Sequence, residues 1–149
     1  TRQQKPCRQK HSQGKLCLYP TTSTTRSTVI MSYQERTEQF GLTSKDELKD
    51  VLQKHANAVL LDVRQAKEIE ESGKFTAGDH PWVHVPVMPT DSEELKSTCA
   101  KVLPDKEAPV IVYCKSGRRA SVAKSTLEEQ GYKTVLNVGG YDDIADLKL

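Results

Sequence analysis

No apolar run in the 149-residue chain approaches the roughly 20 residues that a helix needs to cross a bilayer, so no membrane-spanning helix is expected. Aromatic residues are few, 5% of the chain, and hydrophobic residues make up 36%, which suits a soluble chain of modest apolar content. The four cysteines, Cys7, Cys17, Cys99 and Cys114, match neither a zinc nor a disulfide framework. Cys7, His11 and Cys17 lack a fourth ligand and a compact turn, so no metal is expected there. A reduced, intracellular chain fits this cysteine usage. A phosphate-binding loop of the Walker type is also missing. SGKFT at 72–76 contains Gly-Lys, but the glycine required five residues before Gly73 is Glu68.

Acidic residues are absent from the first 30 positions, which hold Arg2, Lys5, Arg8, Lys10, Lys15 and Arg26. The remaining 119 residues carry 16 basic and 20 acidic groups, so the formal charge of +2 conceals a basic tail on an acidic body. An acidic body offers no groove for nucleic acid. The tail is rich in Ser and Thr and resembles an organelle transit peptide; its composition cannot bury a core. The expected organisation is a basic, disordered tail over 1–40 and one folded domain over 41–149. The tail as a transit peptide would direct the chain to a plastid or mitochondrion; otherwise the expectation is cytoplasmic.

From about Phe40 the pattern becomes regular. Ser44 and Glu47 form a capping-box signal ahead of Leu48, Val51, Leu52 and His55 at helical spacing. AVLLDV (58–63) is a continuous apolar run of the kind a buried parallel strand requires. QAKEIEES is a short helix stopped by Gly73. WVHVPV (82–87) reads as a second strand, and Asp91 as the N-cap of a helix with Leu95, Cys99 and Val102 on one stripe. PVIVY (109–113), the helix ASVAKSTLEEQ and the strand TVLNV (134–138), closed by Gly139-Gly140, complete the body. Strands alternating with helices imply an α/β fold, a parallel sheet flanked by helices on both faces. Chemistry in such sheets gathers at the carboxyl edge. Asp62-Val63-Arg64, Cys114 and the glycine pair all fall at that edge.

The stretch VYCKSGRRASVA (112–123) places Cys114 at the end of a strand and Arg119 at the start of a helix, so the residues between must curl tightly. Gly117 permits the backbone angles of such a curl. Its successive N–H groups and the helix N-terminus form a concave site for an anion. The same partial charge, with Lys115, Arg118 and Arg119 nearby, favours thiolate, the nucleophilic form of cysteine. The plainer reading is a buried cysteine packed as a small hydrophobe. Gly117 and Arg119 at this spacing favour the reactive one. Cys99, on its apolar helical stripe, reads as core.

The loop C-K-S-G-R-R (114–119) resembles the active-site loop of rhodanese-like sulfurtransferases, which runs six residues from Cys to Arg. LLDVRQAKE (60–68) resembles that family's D-V-R-x-x-x-E stretch, with Asp62, Arg64 and Glu68 at its marked positions, and NVGGY (137–141) matches its closing double glycine. The resemblance spans residues 42–147. It implies a cysteine that takes a sulfane sulfur, often from thiosulfate, becomes a persulfide, and passes the sulfur to cyanide or a thiol. On that likeness Cys114 is the nucleophile and persulfide carrier, Arg119 braces the loop and helps hold the anionic donor, and Gly117 lets the backbone cradle the outer sulfur. Lys115, Ser116 and Arg118 complete the loop and line its mouth, while Asp62 and Arg64 organise the rim by hydrogen bonds. The resemblance implies no metal or organic cofactor. Its partners are a small-molecule sulfur donor and a cyanide or thiol acceptor, protein thiols included.

Two departures stand out. The segment FTAGDHPWVHVPV replaces the family's G-H-x-x-G-A-like stretch, and Ile144 stands where Trp is common. Two rivals remain open from sequence. Phosphatases and arsenate reductases use a similar loop but with five residues between Cys and Arg, where this chain has the four from Lys115 to Arg118. A persulfide carrier without efficient turnover would have the same residues.

Overall fold

The expected apolar runs assemble into one sheet in a computed structural model that describes residues 31–147 and 149. Strands β1 (Val59–Asp62), β2 (Trp82–His84), β3 (Val110–Cys114) and β4 (Val135–Gly140) lie in the order β2-β1-β3-β4. Every neighbouring pair is parallel, with Leu61 opposite Val83 and Val112, and Val112 opposite Asn137. β3 is buried along its whole length, and its β-branched residues suit a strand covered on both sides. Side chains alternate across it. Val110, Val112 and Cys114 face a core shared with Leu95, Cys99, Ala120, Ala123 and Leu127. Ile111 and Tyr113 face the opposite core, with Leu48, Leu52, Phe75 and Ile144.

Helices supply those two covers. α1 (Tyr33–Phe40), α2 (Lys45–Lys54), α3 (Ala66–Ser72), α4 (Glu93–Val102), α5 (Arg118–Glu129) and α6 (Tyr141–Ile144) follow in chain order. α4 and α5 lie over one face, α2 and α6 over the other, which is the sheet flanked on both faces that the sequence implied. α2 starts where Ser44 accepts the Glu47 N–H, and it buries Leu48 and Leu52 one turn apart. Each buried leucine contributes about 1.5–3 kcal/mol. Ala120 and Ala123 let α5 approach β3 closely, which fixes where the helix N-terminus meets the strand end.

The boundaries differ from expectation at several places. The second strand stops at His84, although Val85 and Val87 still donate to the Asp62 and Val63 carbonyls. α4 is capped at Ser92 instead of Asp91, whose carboxylate accepts the Glu93 N–H at 2.9 Å. β3 runs on to include Cys114, and β4 runs on to include the glycine pair. The fold also begins before residue 41. α1 has a complete capping box between Ser32 and Glu35 and ends at Gly41 in the left-handed region. It buries no residue of its own and is tied down by polar contacts, such as Tyr33 Oη to the Thr43 carbonyl, so no apolar stripe announces it. Residues 1–30, with the targeting expectation and Cys7, His11 and Cys17, lie outside the described residues.

Candidate active site

Parallel topology brings the carboxyl ends of β1, β3 and β4 side by side, and the predicted site residues gather there. Cys114 ends β3, and Gly117 caps α5 at φ 96°, a left-handed angle that residues with a Cβ resist. This turn aims the Gly117 N–H at Cys114 Sγ, 3.0 Å away. Cys114 and Gly117 are buried while Lys115, Ser116 and Arg118 are exposed, so the sulfur lies at the floor of its loop. The Gly117 N–H and the adjoining helix N-terminus point their donors toward this floor of the loop.

Three sets of contacts hold the loop in place. Arg119 makes a fork to Glu68 of α3, Nη1 to Oε2 at 2.6 Å and Nη2 to Oε1 at 2.7 Å. Glu68 also accepts the Gln65 N–H, and these donors lower its carboxyl from its ordinary value to about 2, Arg119 first among them. The hydrogen bond from Arg119 outweighs the upward push of burial. Asn137 of β4 donates to the carbonyls of Gly117 and Phe40 while its Oδ1 accepts the Gly139 N–H, joining the loop, α1 and β4 at one amide. The third is steric. A register irregularity between Val112 and Cys114 sets Cys114 opposite Gly140, where a Cβ would collide with the Lys115 carbonyl.

Asp62 and Arg64 form a pair below the surface. Arg64 is 1% exposed and Asp62 fully buried, with Nη2 to Oδ2 at 2.8 Å. Arg64 also reaches Ser72 Oγ and the Gly73 carbonyl, and its guanidinium stacks 4.4 Å from the Tyr141 ring centroid. Burial works against the Arg64 cation, yet the bonds to Asp62 raise its pKa above the usual value. The pair therefore supports the rim from beneath, tying β1 to the end of α3. A cavity of about 220 Å³ opens between Arg64, Glu68, Glu71, Ser72, Lys115, Tyr141 and Asp142, with cationic and anionic groups on its walls.

Two contributors escape sequence reasoning. Asn137 lies in the NVGGY motif, but nothing local says its amide will bridge three segments. Arg36 of α1 precedes the body as the sequence divides it, yet its Nη1 lies 3.2 Å from the Ser116 carbonyl. The capping box at Ser32 was the available signal for α1, and the left-handed Gly41 its end. Glu68 was visible as a motif position, though its partner Arg119, 51 residues away, was not. Cys99 is buried, its thiol turned to the Lys96 carbonyl of its own helix.

Comparison with known proteins agrees with this fold. The family described as "Rhodanese-like domain" matches residues 44–147. The thiosulfate sulfurtransferase PspE of Escherichia coli (strain K12) is 47% identical over 53 residues, 36% of this chain and 51% of that protein, so the match spans about half the curated relative. The rhodanese domain-containing protein CG4456 of Drosophila melanogaster is 27% identical over 101 residues, 64% of this chain and 86% of that protein. Among solved structures, the polysulfide-sulfur transferase homodimer from Wolinella succinogenes superposes with a TM-score of 0.56 at 30% identity, covering 76% of this chain and 78% of that one.

Proposed function

Since the chain belongs to the rhodanese-like domain family, we propose that it is a sulfurtransferase that carries a sulfane sulfur on Cys114. The thiolate of Cys114 attacks the outer sulfur of thiosulfate. The S–S bond of the donor breaks and sulfite leaves with the electron pair, so Cys114 becomes a persulfide. Cyanide or a thiolate then attacks the outer sulfur, leaves as thiocyanate or a new persulfide, and returns Cys114 to its thiolate. No net redox partner is required, because the sulfur transferred arrives and departs at one oxidation level.

The observation that carries this reading is the Gly117 N–H held 3.0 Å from Cys114 Sγ. Donors fixed in advance at a developing anion lower the barrier without having to reorganise during the reaction. The fork between Arg119 and Glu68 braces the loop, and in this reading Arg119 helps hold the anionic donor. Lys115, on the cavity wall, attracts the same dianion. Asp62 and Arg64 touch no reacting atom in this scheme and act by holding β1 against α3. The four residues between Cys114 and Arg119 make a ring suited to one sulfur atom.

Thiocyanate formation from thiosulfate and cyanide tests the proposal. Wild-type protein should turn over, Cys114→Ser should be inactive, and Cys99→Ser should keep nearly full activity because its thiol faces Lys96. Sulfur uptake without release would favour the carrier reading. Rapid hydrolysis of an aryl phosphate with no sulfur uptake would favour the phosphatase reading.

A further inference from the structure

The peptide unit joining Ser116 to Gly117 has both its polar ends engaged. Its N–H is the donor to Cys114 Sγ, at 3.0 Å. Its carbonyl oxygen accepts from Arg36 Nη1, at 3.2 Å. A trans peptide is planar, with C=O and N–H pointing in opposite directions. Whatever fixes the carbonyl therefore fixes the N–H. This matters here because Gly117, having no Cβ, tolerates either sign of φ. A rotation of this peptide plane would replace the N–H beside the sulfur with a carbonyl oxygen, which repels an anion.

We propose that Arg36 is a positioning residue for Cys114, clamping the Ser116–Gly117 peptide so that its N–H stays on the sulfur. Arg36 lies before the family-matched segment 44–147. The guanidinium is itself immobilised. It forks to Asp143, Nη1 to Oδ2 at 2.6 Å and Nη2 to Oδ1 at 2.7 Å, and its side chain is 15% exposed. Asp143 in turn accepts the Gly140 N–H at 2.8 Å, next to the Lys115 carbonyl. Asp143 neutralises the Arg36 charge locally, so the guanidinium acts by geometry and by polarising the peptide it holds, more than by net charge at the sulfur. α1 is anchored for the task by its Ser32–Glu35 capping box and by the Asn137 bond to Phe40.

The inference rests on Cys114 as the reacting residue, and its test is read partly without any sulfur donor. In ¹⁵N-labelled reduced protein, the Gly117 amide proton of Arg36→Met should move upfield from its wild-type position as the bond to sulfur weakens. The same variant should lose on the order of tenfold in kcat for thiocyanate formation, the equivalent of one charge-assisted hydrogen bond. Its KM for thiosulfate should stay within about twofold. Glu38→Gln, on the exposed side of α1, should match wild type in every measure. Arg36→Lys keeps a cation for Asp143 but cannot hold two acceptors in a rigid fork, so it should remain folded with an intermediate kcat and a displaced Gly117 amide. Should Arg36→Met fail to fold, Arg36→Lys decides. An unchanged Gly117 amide and kcat in a folded Arg36 variant would overturn the clamp, whether or not its thermal stability fell. A wild-type protein that takes up no sulfur would sink the sulfurtransferase reading, and the amide would still judge the clamp.

Discussion

At the scale of single residues, the loop of Cys114 rests on buried groups around it. Asp62→Ala would leave the Arg64 guanidinium buried with its main partner gone. Breaking a buried pair from one side typically costs about 3–5 kcal/mol, mostly for stranding the remaining charge. Urea unfolding should show a loss of that size, and a smaller one for a paired apolar replacement of both residues. A loss under about 1 kcal/mol would mean that Ser72, Gly73 and the Tyr141 ring suffice to hold Arg64. Gly140→Ala tests the steric constraint. Its Cβ meets the Lys115 carbonyl, which is backbone and cannot swing aside, so the loop must shift. The expected outcome is a cost of about 1–3 kcal/mol together with slowed sulfur uptake. These roles were only partly legible in the sequence. Asp62, Arg64 and Glu68 could be picked out by motif, but their burial, the Arg119 partner of Glu68 and the Tyr141 ring over Arg64 come from segments that only the fold brings together.

Among the elements, α3 and α5 are joined by the Glu68–Arg119 fork, and this joint has a pH signature. The carboxyl of Glu68 titrates near 2 in the folded protein against an ordinary value of 4.5. A depressed carboxylate contributes stability above its unfolded pKa and loses it as the pH falls through the folded one. The contribution is therefore complete above about pH 4.5 and gone below about pH 2, and it amounts to at most about 3 kcal/mol. Denaturation midpoints measured across this window should fall less steeply for Glu68→Gln than for wild type. Parallel slopes would mean that the fork contributes nothing to folding. Elements with an apolar run or stripe, such as β3 and α2, were evident from sequence because their burial is written into consecutive or i, i+4 residues. α1 was not, because its attachment is polar and its partners Thr43, Asn137 and Asp143 belong to other segments.

For the whole molecule, one parallel sheet with helices on both faces places three strand ends at a single edge, and the proposed chemistry follows from that arrangement. The organellar address is a separate proposal resting on the acid-free composition of residues 1–30. A fluorescent reporter fused after those residues should enter a plastid or mitochondrion, and a diffuse cytosolic signal would remove the proposal. The central claim is that Cys114 carries the sulfur. Intact-mass measurement after incubation with thiosulfate, with the modified peptide then identified, addresses it most directly. The account predicts a gain of one sulfur atom, located on Cys114 and removed by cyanide or a thiol. No gain in mass, or a sulfur located on Cys99, would contradict it.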